Sequence, residues 1–419
     1  MLFRSEALLE PSEPAGFSHL ERYAVAAFTA GLLGAPAAEE FYRDLLRDED
    51  ESASWAIAEL LDEAVAASVP DTGTGVPGPY GIFESAALAG ENAPGPWFTA
   101  TAEPATPLDD KLVSGLEFAH LLVLHPRDSR PGHLALLLEA GWDEDGIIAL
   151  AQLVSFLNFQ IRISTGLAAL AHTPDAPGEA AAGPGPGTEG TAEPADPGTG
   201  VDSTASARAE EALTAVGDRV STYPDLNRPE VFQQSGLGWV PWIAPVAEAE
   251  LTETQREALI EAGRAKNPYF RLLARDPAAL KARTLTDLDI FFNTTDGLGR
   301  AERELAATAA SRLNGCLFCA SIHAARATEE SGRRDLVQRL LDDGVDARLG
   351  DAVWDAVVEA SVALTRTPQT FGPTHVTALR EAGLADGDII DVLGSAAFFN
   401  WANRLMLSLG EPEVLSAGR

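Results

Sequence analysis

Cysteine is almost absent from this chain: Cys316 and Cys319 are the only two in 419 residues. That scarcity excludes a small fold stapled by disulfides. Lysine is nearly as rare, at Lys111, Lys266 and Lys281, and 30 basic residues stand against 63 acidic ones for a formal net charge of -33. A polyanion needs a basic footprint, so no nucleic-acid partner is expected. The acidic surface reads as a solubility device. No apolar run approaches the roughly 18 to 20 residues that cross a bilayer. The start, Met1-Leu-Phe-Arg-Ser-Glu-Ala-Leu-Leu-Glu-Pro11, has neither a basic opening nor a long apolar stretch. The expectation is a cytoplasmic protein with no membrane partner. Strand-like alternation is also nearly missing.

What is present is enough for substantial cores, with 46% hydrophobic residues. From 172 to 210 the chain turns to Pro, Gly, Ala, Thr and Glu, a composition too poor in apolar area to offset ordering entropy. It reads as a disordered linker between a lobe at 1–171 and a lobe at 211–419. The lobes repeat each other. Glu139-Ala-Gly-Trp-Asp-Glu-Asp-Gly-Ile-Ile148 matches Glu381-Ala-Gly-Leu-Ala-Asp-Gly-Asp-Ile-Ile390, and the same offset pairs Pro126 with Pro368, His133 with His375, Asn158 with Asn400 and Arg162 with Arg404. Upstream, Glu21-Arg22 matches Glu302-Arg303, and Gly34 falls on Gly315. The two offsets differ, which implies an insertion in the first lobe. Its Pro/Gly/Thr clusters place it between about Ser68 and Pro107 as a long loop.

Both repeats carry helical patterns, so the expected fold class is all-α, a helical bundle in two tandem lobes. Leu305, Ala309 and Leu313 line one helical face ahead of Asn314-Gly315, and Thr252 with Gln255 forms a capping box. Each lobe should end in a long helix, at about 144–167 and 386–409. The aromatics of Trp239-Val-Pro-Trp242 are expected to pack against the second lobe.

The chemistry concentrates in Cys316-Leu-Phe-Cys319-Ala-Ser-Ile-His323. A CxxC pair can close a disulfide within a helical turn, and a histidine four residues after the second thiol shares its face. A helix restarting after Asn314-Gly315 would put the thiols at its positive end. If the chain reverses there as a helical hairpin, Glu304 and His323 face each other within about one turn. Glu304 then orients His323, which deprotonates Cys319. In a continuous helix Glu304 and Cys316 would be roughly 18 Å apart and the relay would fail. Zinc and inert buried thiols are the rival readings, but no second CxxC or HxxxH completes a four-ligand site. His19, His120, His125, His133, His172 and His375 show no ligand spacing. His133 and His375, Asn158 and Asn400, and Arg162 and Arg404 recur in both lobes, which points to capping, packing and structural polar contacts. An arginine of the last pair close to a pocket could also hold an anion.

Glu304, Cys316, Cys319 and His323, with Asn-Gly just ahead of the first cysteine, resemble the AhpD-like alkylhydroperoxidase signature of the carboxymuconolactone decarboxylase superfamily. Phe398-Phe-Asn-Trp-Ala-Asn-Arg404-Leu-Met406 resembles that family's last helix. The resemblance implies a thiol peroxidase. Cys319 would attack the O–O bond of an organic hydroperoxide, Cys316 would condense with the resulting sulfenic acid, and His323 with Glu304 would relay protons. It implies no bound cofactor or metal, an external dithiol or protein reductant, and a homo-oligomer. The chain departs from the familiar peroxidases by having Phe318 where they carry a second histidine. A lyase or isomerase acting on a small carboxylate, and a protein thiol–disulfide oxidoreductase, are the alternatives. In the first lobe Tyr23, Ala35, Ala38 and Tyr42 occupy the four signature positions, so that lobe reads as degenerate, kept for packing or assembly.

Overall fold

The computed structural model describes residues 6–12, 14, 16–68, 77–99, 109–174, 203–295 and 297–415. The first lobe consists of α1 (Glu6–Leu9), α2 (His19–Leu32), α3 (Pro36–Glu49), α4 (Glu51–Ser68), α5 (Asp110–Leu124), α6 (Pro131–Glu139) and α7 (Glu144–His172). Next come α8 (Ser203–Val216), α9 (Glu253–Ala258), α10 (Pro268–Leu273) and α11 (Pro277–Phe292). The second lobe is α12 (Arg300–Asn314), α13 (Leu317–Ser331), α14 (Arg334–Asp343), α15 (Ala352–Thr365), α16 (Pro373–Glu381) and α17 (Asp386–Ser408). The fold is all-α, and its repeat is visible in the helix starts. Those of α2 and α3 fall on those of α12 and α13 at the upstream offset, and those of α5, α6 and α7 on those of α15, α16 and α17 at the downstream one.

Local chemistry explains several boundaries. Thr252 accepts from the Gln255 amide at 3.2 Å while the Gln255 side chain returns to the Thr252 amide at 3.0 Å, starting α9. His133 and His375 do equivalent work: their Nδ1 atoms accept the backbone N–H of Arg130 and Gly372, at 3.0 and 3.2 Å, at the starts of α6 and α16. The near absence of strand pattern has one exception. β1 (Gly238–Pro241) pairs antiparallel with β2 (Gly410–Glu413), each with a proline tolerated in so short a ribbon. Trp239 Nε1 bonds the Met406 carbonyl at 3.0 Å, and Trp242 Nε1 bonds Glu411 at 3.1 Å.

Two readings of the sequence are corrected. First, the 172–210 interval is helical at both described ends. His172 closes α7, and 203–210 open α8, whose Ala- and Glu-rich sequence favours helix. Ala209 sits so close to Gly132 of α6 that a methyl group there would collide with it. Residues 175–202 lie outside the described set. Second, α7 is long and apolar enough to cross a membrane by length and composition alone, and 94% of its apolar window is buried inside the protein. It is apolar on all sides because it runs between its own lobe and α17. The described part of the expected insertion, 77–99, is a loop without α-helix, as the Pro/Gly/Thr clusters implied, and it is bonded to the second lobe as a strap, whereas 69–76 and 100–108 lie outside the described residues. Gly78 and Thr367 exchange backbone hydrogen bonds at 2.8 and 2.9 Å, and Glu91 takes both Nη atoms of buried Arg312 at 2.5 and 2.7 Å.

The lobes meet along α7 and α17 about a pseudo-twofold relation. Arg162 Nη2 donates to the Thr365 carbonyl at 3.2 Å and to Thr367 Oγ1 at 2.8 Å, and Arg404 Nη2 donates to the Val123 carbonyl at 3.1 Å. Val123 is the repeat equivalent of Thr365. Each arginine is also held by the asparagine one turn earlier, Asn158 or Asn400. These arginines are committed across the interface through their Nη2 atoms.

Candidate active site

α12 stops because Gly315 takes φ 79°, a left-handed conformation that only glycine adopts without strain. Arg127 of the first lobe lies against this turn, donating to the Leu313 carbonyl at 3.3 Å at the negative end of α12. The chain reverses, Cys316 becomes the N-cap residue of α13, and α12 and α13 pack as a hairpin. Cys319 therefore lies in the first turn of a helix, where unpaired amides favour negative charge.

The hairpin brings Glu304 and His323 together. His323 Nδ1 donates to Glu304 Oε2 at 2.5 Å, and Arg300 Nε donates to Oε1 at 2.5 Å. Glu304 is fully buried, so both its oxygens are held by cations in a dry environment. With Nδ1 engaged, Nε2 is the nitrogen left for the thiol side. The Phe399 ring meets the imidazole edge-on at 4.1 Å between centroids and fixes its plane. Burial alone pushes His323 down, but the charge and hydrogen bond of Glu304 outweigh it and hold the imidazole above its ordinary value. Burial likewise raises Glu304, yet His323 and Arg300 bring it below the usual carboxylate range.

The cysteines are free thiols, 2% and 5% exposed, and they are unequal. Burial and the hydrogen bond it shares with Cys319 drive Cys316 well above the ordinary thiol value. Burial raises Cys319 too, but the hydrogen bond from Cys316, the charge on His323, a hydrogen bond from Asn403 and the charge on Arg283 together bring it below that value. Of the two thiols Cys319 is the one prepared to ionise.

Asn403 was given no role from sequence, nor were Arg300, Ser311 and Arg283, and Asn314 was read only as part of the helix stop. Asn403 Nδ2 donates to Ser311 Oγ at 3.0 Å, and its Oδ1 accepts from Asn314 at 2.9 Å, which aims the amide group at Cys319. The repeat carried the signal. Ser311, Asn314 and Asn403 fall on Ala30, Leu33 and Ile161, so this network, like the thiols, exists in one lobe only. In the first lobe Tyr42 stands at the histidine position, bonded to Gln160 at 2.9 Å, and Tyr23 stands at the glutamate position, bonded to Glu10 at 3.1 Å. A hydrogen bond to a charged acceptor contributes about 1.5 kcal/mol, a factor of roughly ten. Asn403→Ile is therefore expected to move the Cys319 titration to higher pH and to slow its alkylation by iodoacetamide at neutral pH about tenfold, read from thiolate absorbance and mass.

Fold and site together define a duplicated all-α protein with a single buried dithiol served by a glutamate–histidine pair. Residues 277–362 match the model of the Carboxymuconolactone decarboxylase family, a span that contains Glu304, both cysteines and His323. This part of the second lobe is thus similar to that family, and the match covers about a fifth of the chain. No curated protein matches the chain. Among solved structures it is similar to an uncharacterized peroxidase-related protein from Silicibacter sp. TM1040, at 25% identity over 40% of this chain and 90% of that one, with a TM-score of 0.35.

Proposed function

We propose that the protein is a thiol-dependent peroxidase that reduces organic hydroperoxides by a dithiol/disulfide cycle, with an external dithiol restoring Cys316 and Cys319. The observation that carries this reading is the hairpin that sets two free, buried thiols at the start of α13 on the same helix as His323, whose imidazole is held by the doubly bonded Glu304. Cys319 as thiolate attacks the terminal peroxide oxygen, the O–O bond breaks, and a sulfenic acid forms on Cys319 while the alcohol leaves with a proton from His323. Cys316 then displaces water to close the disulfide. Burial of both thiols favours a small substrate over a folded protein disulfide, which could not reach Cys319. The test follows loss of an organic hydroperoxide with dithiothreitol present. Turnover is expected in the wild type and none in Cys319→Ser, and unchanged turnover in that variant would sink the reading.

A further inference from the structure

Two hydrogen-bonding groups near the thiols have no use in the relay. The first is the hydroxyl of Tyr269 on α10; the second is the guanidinium of Arg283 on α11. The residues are 7% and 6% exposed, and among the described residues neither the Tyr269 hydroxyl nor Arg283 Nε has a hydrogen-bond partner. The guanidinium lies 5.5 Å from the Tyr269 ring centroid and 5.1 Å from that of Phe398, whose neighbour Phe399 packs on His323. Arg303 and Arg312, similarly buried, instead donate to carbonyls and carboxylates. An unmet buried donor is destabilising, and cation–π contact offsets that cost here only in part. Donors left so beside a nucleophile are what a reaction that develops negative oxygen requires.

We propose that Arg283 and Tyr269 form an oxyanion seat beside Cys319 that hydrogen-bonds the peroxide oxygens and holds the charge of the departing alkoxide. The proposal rests on the peroxidase reading and deepens it. Electrostatic influence runs between these groups and the dithiol: the Arg283 charge favours the Cys319 thiolate, and both thiols act on Tyr269. As the Cys319 sulfur bonds to the terminal oxygen, the O–O electron pair leaves on the inner oxygen. The seat stabilises that alkoxide until His323 protonates it to the alcohol. The sulfur has then lost two electrons and the peroxide has gained them.

The experiment compares two second-order rates in the reduced full-length protein. One is the reaction with cumene hydroperoxide; the other is alkylation by iodoacetamide, which needs the same thiolate but expels iodide rather than an oxyanion. Tyr269→Phe removes only an unpartnered hydroxyl, so its melting temperature should not fall, yet its peroxide rate should drop about tenfold with alkylation nearly unchanged. Removing one oxyanion donor typically lowers rates about 10²–10³-fold. Arg283→Met should lose peroxide rate on that scale while alkylation slows only several-fold. Equal losses in both rates for Arg283→Met, or an unchanged peroxide rate in Tyr269→Phe, would overturn the seat and leave the peroxidase reading standing. A wild-type protein inert to hydroperoxides would remove both.

Discussion

Cys316→Ser is expected to consume one equivalent of hydroperoxide per chain and then stop, whereas Cys319→Ser consumes none. The asymmetry follows from the environments of two thiols that share a helical turn. Cys319 has the Asn403 amide, the His323 charge, the Arg283 charge and the start of α13 to stabilise a thiolate. Cys316 has burial and a neighbour that ionises first, so its own thiolate is disfavoured. In Cys316→Ser the sulfenic acid on Cys319 has no resolving partner and should persist, trapped by dimedone as a single adduct in the intact mass. Wild-type protein should form that adduct only weakly, because condensation competes. The opposite pattern, with a trapped adduct in Cys319→Ser, would reverse the assignment of nucleophile and resolving thiol.

Glu304→Gln should lower the steady-state rate by roughly 10²-fold, within the range that proton transfer by a positioned side chain contributes. The substitution keeps the shape of the side chain and removes its charge. Because Glu304 reaches the sulfur only through His323, it is a positioning residue, and its signature is the pH profile. The competent state holds a thiolate on Cys319 and a proton on His323, so activity falls at the acid side as sulfur regains its proton and at the alkaline side as imidazole loses one. Glu304 is what lifts His323 against its burial, so its neutralisation moves the alkaline limb to lower pH. The two limbs belong to the coupled pair rather than to either residue alone. An alkaline limb that stays in place would separate Glu304 from the relay. Glu304→Asp, which keeps the charge on a shorter arm, should recover part of the limb's position.

The helices were legible where their signals are local. The Thr252 capping box, the Asn-Gly stop before Cys316, and the starts of the paired helices follow from capping chemistry and repeat register. The Glu304–His323 contact was legible as well, because one glycine turn fixes the hairpin that makes it. Partners from distant segments were not. Asn403 meets the site across 92 residues from Ser311, and the strap at 77–99 grips Arg312 from 221 residues away. Pairings of this kind leave no spacing to read. The apolar length of α7 was missed because the Arg162 charge interrupts it, and that charge is met only across the lobe interface. Arg283 gave no signal because it falls where the first lobe's described helices offer no counterpart.

The crossed arginines have a consequence for inheritance. Each lobe's deepest cation satisfies a carbonyl of the other, Arg162 at Thr365 and Arg404 at Val123. Arg404 continues through Asn400 and Asn314 to Asn403, the residue that aims at the nucleophile. A lobe without a thiol can therefore lose its chemistry but not its geometry. Substitutions that disturb the dithiol centre need not lie near it, because the lobe without thiols is bonded to the other by these same crossed contacts.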